Sequence, residues 1–219
     1  MSLPVVVVCG SRALPGAAVP LVGRVVSALL GAGSVLAVGC AVGADAAALS
    51  AAVAAGAAAR LQVWAAFGPV SPPWAARRYS APGACSASAV GAVAAALVAG
   101  APVRWWAGGP PSVPLASRLA RRSLACVRSA AAGGPGSGLV AFVASLPGRP
   151  FGRGPWPSCG SGSWASAAAA ALLGLSVVVV PVGPLAGASV SSLPALPGGG
   201  AWVPVSAGVL SGGFRWVAK

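Results

Sequence analysis

Three glycine-bearing clusters concentrate this chain's capacity for chemistry. The first, Gly10-Ser11-Arg12, follows the apolar run Val5–Cys9. Its glycine lets a ligand come close to the backbone, its serine offers a hydroxyl, and its arginine presents a planar fork that fits phosphate. An ordinary strand-to-helix turn accounts for the same tripeptide. The second runs Gly39-Cys40-Ala41-Val42-Gly43-Ala44-Asp45, ahead of an alanine-rich stretch. Glycines spaced in this way free backbone N–H groups to face an anion, with a helix dipole behind them. Asp45 falls where a helix N-cap belongs, and its carboxylate suits either that cap or a ribose hydroxyl. The third, Gly160-Ser161-Gly162-Ser163, opens another alanine-rich stretch and adds two hydroxyls. All three have the form of phosphate loops at or near helix N-termini.

Asp45 gains weight from what the chain lacks. It is the one acidic side chain among 219 residues, and Thr, Asn, Ile, Glu and His are absent. Gln62, Tyr79 and Lys219 occur once each, and Met1 is the sole methionine. Each of these scarce types has adenine at the first or second codon position, whereas Ala, Gly, Val, Leu, Pro, Trp, Cys, Phe, Arg and Ser can be encoded without it. High GC content alone would have kept Thr, Asp, Glu and His. The composition therefore points to a coding strand depleted of adenine. Ser or Gly would have capped a helix without that base, so the retention of Asp45 argues for a ligand-binding or site-shaping role.

The same bias changes how the charge is read. A net charge of +13 ordinarily suggests nucleic acid or an anionic surface as partner. Here acids were lost to coding while arginine stayed, so the basicity is partly a by-product. Arg118, Arg121, Arg122 and Arg128 nevertheless recur on one predicted helix at spacings that would send most of them to one side. A nucleic-acid-binding face and a merely solvated face explain them equally. Trp105-Trp106, ahead of Gly108-Gly109, offers either a stacking platform for bases or ordinary packing.

Cys9, Cys40, Cys85, Cys126 and Cys159 form no CxxC pair and have no histidine to join them, so no metal site is expected. Their odd number and wide spacing fit a reducing, cytoplasmic location. No basic segment precedes Val5, so no signal peptide is expected. The hydropathic stretch Ala165–Val182 is divided by Gly174 and Ser176 and ended by Pro181, which argues against a membrane-spanning helix.

Elements that would position the clusters alternate along the chain. Strands are predicted near Val5–Cys9, Val35–Val38, Leu61–Ala66, Val103–Trp106, Leu139–Val143 and Val177–Val180. Helices are predicted near Ala17–Leu30, Asp45–Ala58, Ser86–Ala99, Pro114–Ala131 and Ser163–Leu173. Gly68–Gly83 and Ser145–Gly160 read as loops. The alternation predicts an α/β, Rossmann-like fold with a mostly parallel sheet flanked by helices. One such domain would occupy residues 1–183, and a Gly/Pro/Ser-rich C-terminal extension residues 184–219. Trp202 and Trp216 are its large anchors, whether it is a small β-rich appendage or a flexible tail.

Taken together, Gly-Ser-Arg after the first strand and Gly-x-x-x-Gly-Ala-Asp after the second resemble the SLOG superfamily. That group includes the DprA (Smf) DNA-processing proteins, the LOG nucleoside-phosphate hydrolases and many nucleotide-sensing domains. Ala120-Arg121-Arg122-Ser123 looks like the family's arginine-bearing helix, and the Gly160–Ser163 loop with the Val177–Pro181 strand extends the likeness to about Val5–Val182. The resemblance implies a nucleotide or nucleotide-derived phosphate as ligand, with no further cofactor and no metal. Gly10, Ser11, Arg12, Gly39, Gly43, Ala44, Asp45, Gly160, Ser161, Gly162 and Ser163 would line the site. LOG hydrolases carry Gly-Gly-x-Gly-Thr-x-x-Glu with a catalytic Glu. Ser163 stands at the Thr position here and Ser166 at the Glu position, which counts against hydrolysis and leaves enzyme activity undecided. The alternatives are a DprA-like single-stranded nucleic-acid-binding protein using Arg118, Arg121, Arg122 and Arg128, and a LOG-like hydrolase with a rearranged acid. Association into a homo-oligomer is left open.

Overall fold

A computed structural model of the chain describes residues 2–69 and 87–219. The expected Gly68–Gly83 loop from residue 70 onward, together with Tyr79, Cys85 and Ser86, lies outside the described residues. Valine-rich runs form the strands, because branching at Cβ suits a pleated, buried surface. In chain order the elements are β1 (Val5–Gly10), α1 (Val19–Gly31), β2 (Val35–Val38), α2 (Ala44–Ala54), β3 (Leu61–Trp64), α3 (Ala87–Val98) and β4 (Val103–Arg104). Then follow α4 (Leu115–Ala131), β5 (Gly138–Val143), α5 (Gly162–Leu172), β6 (Ser176–Pro181), β7 (Gly200–Pro204) and β8 (Phe214–Ala218).

Among the described residues the strands make one eight-stranded sheet in the order β4-β3-β2-β1-β5-β6-β8-β7. The first six are parallel, with Val8 beside Val38 on one side and Cys9 beside Ala141 on the other. The fold is α/β and Rossmann-like. Strand order steps outward from β1 to β4, then reverses to β5, which places the topological switch point between β1 and β5.

Alternate residues of each strand feed two separate cores. Val6, Val8, Leu36, Val38, Leu61 and Val63 pack against α1, α2 and α3. Their neighbours Val5, Val7, Ala37, Trp64, Leu139 and Ala141 pack against α4 and α5. In α1 the buried positions Val22, Val25, Val26 and Leu30 repeat at helical spacing. The helix α5 is buried on most of its circumference, from Trp164 through Ala170. Small alanines allow that close packing, which periodicity could not reveal in so alanine-rich a chain.

Two strands are shorter than the sequence suggested. β3 ends at Trp64 instead of Ala66, and β4 stops at Arg104 because Trp106 has φ +50°, a left-handed conformation that ends extended pairing. The 184–219 segment supplies a hairpin that extends the sheet. β8 pairs antiparallel with β6, and β7 with β8. Trp202 and Trp216 anchor it as expected, their ring centroids 5.1 Å apart, with Trp202 edge-on to Trp164 at 6.3 Å. No helix among the described residues is long and apolar enough to cross a membrane, because the Ala165–Val182 run is split between α5 and β6.

Candidate functional site

The carboxyl ends of β1 and β5 diverge at the switch point, and a cleft of about 610 Å³ opens there. Gly10, Ser11 and Arg12 leave β1 along one wall, while Gly160, Ser161, Gly162 and Ser163 enter α5 along another. Asp45 reaches the cleft from α2 and Arg122 from α4. Two of the three predicted clusters, and the acid of the third, thus meet at one place.

Of the rest of the second cluster, Ala41 also lines the cleft, and the glycines and Ala44 do different work. Gly39, Gly43 and Ala44 do not line the cleft. A β-carbon on Gly39 would collide with the Arg122 guanidinium and with Asp45 Oδ2, so this glycine clears room for an ion pair. Gly43 is the N-cap of α2, with φ +78°, and lies against the carbonyls of Ser11 and Arg12. The amide of Ala44 donates to Ser11 O at 3.2 Å, which commits that end of α2 to the neighbouring loop. Gly10 permits close approach too: a β-carbon there would stand 2.5 Å from Phe142 O on β5 and 2.7 Å from Ala44 Cβ on α2. Gly10→Ala is expected to strain the β1–β5 contact and the seat of α2 and to cost about 1–3 kcal/mol, the usual penalty of overpacking, measurable by urea unfolding.

Asp45 is not the helix cap that its position suggested. It sits inside the first turn of α2, 4% exposed, and Gly43 makes no side-chain cap. Its Oδ2 accepts from the Ala41 amide at 3.1 Å and from Arg122 Nη1 at 3.3 Å. Burial pushes the Asp45 carboxyl up from its ordinary value, and the Arg122 charge offsets part of that.

The four arginines of α4, most of them expected on one side, divide evenly between two. Arg118 and Arg122, four residues apart, are each 7% exposed, whereas Arg121 and Arg128 face solvent. Arg118 donates through Nε to Val113 O at 2.9 Å and through Nη1 to Ala66 O at 2.8 Å. It also lies 5.3 Å over the ring of Trp106, so that ring carries a guanidinium where a base would stack. Trp105 packs against Phe67, with centroids 6.0 Å apart. The tryptophan pair is packing.

Several cleft residues escaped the sequence reading. Ser123 from α4, Ser145 after β5, and Ser158 and Trp156 from the loop before α5 all line it. Ser123 ends the arginine-bearing Ala120–Ser123 stretch, and the others belong to no spaced motif; only the α4 crossover and the course of the long loop bring them together. Ser166 is buried and donates to Gly162 O at 2.9 Å. Cys9 also lines the cleft, and burial, reinforced by the Asp45 charge, holds its thiol well above the ordinary range. A thiol kept protonated in this way is a poor nucleophile. No group of three or more His, Cys, Asp or Glu among the described residues is placed to hold a metal ion.

At the start of α5, Ser161 caps the helix, its Oγ accepting from the Trp164 amide at 3.5 Å. The first helical bond is Ala165 N–H to Ser161 O at 3.0 Å, so the amides of Gly162 and Ser163 have no intrahelical acceptor. Both residues line the cleft, where the helix dipole favours negative charge. Arg12 stands exposed on the rim, and its charge reaches Asp45. Arg122 keeps a buried Nε without an acceptor, so Asp45 does not exhaust its hydrogen-bonding capacity. Amide donors, two cations and several hydroxyls make an anion-binding cleft of ligand size. No protein-family model matches the chain, and no curated protein does.

Proposed function

We propose that this chain is a SLOG-type domain that binds a nucleotide or nucleotide-derived phosphate in the switch-point cleft. The observation that carries the reading is the convergence of the Gly10–Arg12 loop and the α5 N-terminus at the carboxyl ends of β1 and β5. Ligands of doubly wound sheets sit there because the loops of both halves meet only at that point. The phosphate would take the Gly162 and Ser163 amides and the Arg12 guanidinium. Ser11, Ser123 and Ser145 suit sugar hydroxyls, and among the described residues Trp156 is the one aromatic lining the cleft that can lie against a base.

Binding without hydrolysis is the better-supported form. The chain has no Glu and no His, and its one carboxylate side chain is committed to Arg122. The DprA-like alternative loses Arg118 and Arg122 to the interior and keeps only Arg121 and Arg128 on the α4 surface. In calorimetric titrations with a panel of nucleoside mono-, di- and triphosphates, at least one should bind with 1:1 stoichiometry at the cleft. Arg12→Ala should weaken that binding by about 1.5–3 kcal/mol, the value of a charge-assisted hydrogen bond. Unchanged affinity would remove Arg12 from the site.

A further inference from the structure

At the other end of the sheet, a second concave surface lies between α4 and the strands β1 to β4. A groove of about 740 Å³ runs there between the beginnings of the strands, at Val5, Val35 and Gln62, and the C-terminal half of α4. Arg104 from β4 and Arg121 and Arg128 from α4 line it, all three exposed. No acid lines the groove. One wall is Trp64, 7% exposed, whose Nε1 is buried without a hydrogen-bond partner and whose ring lies 4.7 Å below the Arg104 guanidinium.

Three cations held around one concave surface without a counter-charge repel one another, and a polyanion relieves that repulsion. Arg121 and Arg128 are seven residues apart on one helical face, so their backbones stand about 10.5 Å apart along the helix axis. A row of linked phosphates spans that distance with each guanidinium extended along the groove, and it brings more charge to the three cations than a single phosphate does. Ser2, Gln62 and Ser129 add neutral donors between the cations. A single-stranded nucleic acid would also present phosphates, but such strands bind on stacking platforms. Among the described residues, the one aromatic lining this groove is buried and already covered by Arg104.

We propose that this groove binds a linear oligophosphate anion, laid between Arg121 and Arg128 and flanked by Arg104. The site is separate from the nucleotide cleft and does not depend on that reading. Its test is calorimetric titration of the full chain with inorganic tripolyphosphate and with orthophosphate. Arg121→Gln/Arg128→Gln and Arg12→Ala serve as the paired variants. Both groove arginines are exposed, so the double variant should melt at the wild-type temperature. It should lose about tenfold or more in groove affinity for tripolyphosphate, the value of one lost charge-assisted contact or more. Arg12→Ala should leave that affinity unchanged, which separates failure at the groove from failure at the cleft. Orthophosphate should bind at least about tenfold more weakly than tripolyphosphate, because it carries less charge and fewer acceptor oxygens to share among the three cations. Equal tripolyphosphate affinity in the wild type and the double variant would overturn the proposal. So would a thymidine decamer binding through Arg121 and Arg128 where tripolyphosphate does not, since the groove would then be a nucleic-acid surface.

Discussion

Arg122→Ala is expected to destabilise the protein by about 3–5 kcal/mol, because it strands a carboxylate in the interior. Asp45 and Arg122 are 4% and 7% exposed, and each is the other's charged partner at 3.3 Å. Removing either leaves a buried charge whose desolvation nothing repays. A loss of that size approaches the whole stability of an ordinary domain. Asp45→Ala should cost a comparable amount. The double variant Asp45→Ala/Arg122→Met should lose much less than the two singles combined, since an apolar pair leaves no charge behind. Arg122→Ala should also be partly rescued in acid, where Asp45 takes up a proton and ceases to be an ion. Urea unfolding of all four proteins at neutral and acid pH measures these effects. Additive losses with no acid rescue would mean that the pair is not coupled as its geometry indicates.

The second large effect is an inverted dependence of stability on pH. Most proteins unfold in acid because native carboxylates bind protons less readily than unfolded ones. This chain has one Asp, no Glu and no His, so between neutral pH and pH 3 its side-chain charge rises by a single proton from +13. The folded-state pKa of Asp45 lies above its ordinary 3.8. Its contribution is therefore fully present below pH 3.8 and is lost as the pH rises through the folded-state value. Stability at pH 3 should equal or exceed that at pH 7. The alkaline side is the vulnerable one. Burial pushes the Cys126 thiol from 9.0 up to about 12, and raises Cys9 and Cys159 as well. Raised thiols stabilise the fold below pH 9 and lose that contribution as the pH climbs. Cys126 alone gives up about 1.4 kcal/mol per pH unit across that interval. Thermal melts from pH 3 to 11 under reducing conditions should show a plateau in acid and a steep fall above pH 9. A fall in acid of the ordinary kind would contradict this account.

Strand-forming valines and glycine loops carried the fold into plain view, because their spacing is local. Val5–Cys9, Val35–Val38 and Val177–Val180 sit where strands form, and Gly160–Ser163 does open a helix. The sheet order was less accessible, since pairing β1 with β5 depends on contacts more than a hundred residues apart in the chain. The inward turn of Arg118 and Arg122 was hidden for a related reason. Helical spacing says that two residues share a face, and only packing says which face is buried. Asp45 illustrates the same limit. Its rarity marked it as important, but its partner lies 77 residues away on α4. Gly39 shows the reverse case, a glycine that looked like part of a phosphate loop and instead makes space for that partner.

The most direct test of the proposed nucleotide binding in the switch-point cleft is a backbone amide NMR titration of the full chain with the tightest-binding nucleoside phosphate. The account predicts saturable shifts at Ser11, Arg12, Gly162 and Ser163 and at the Trp156 indole. Gly162 and Ser163 should shift most, because their N–H groups would hold the phosphate directly. Saturable binding that leaves those two amides unperturbed, or no saturable shift with any nucleotide tried, would contradict it.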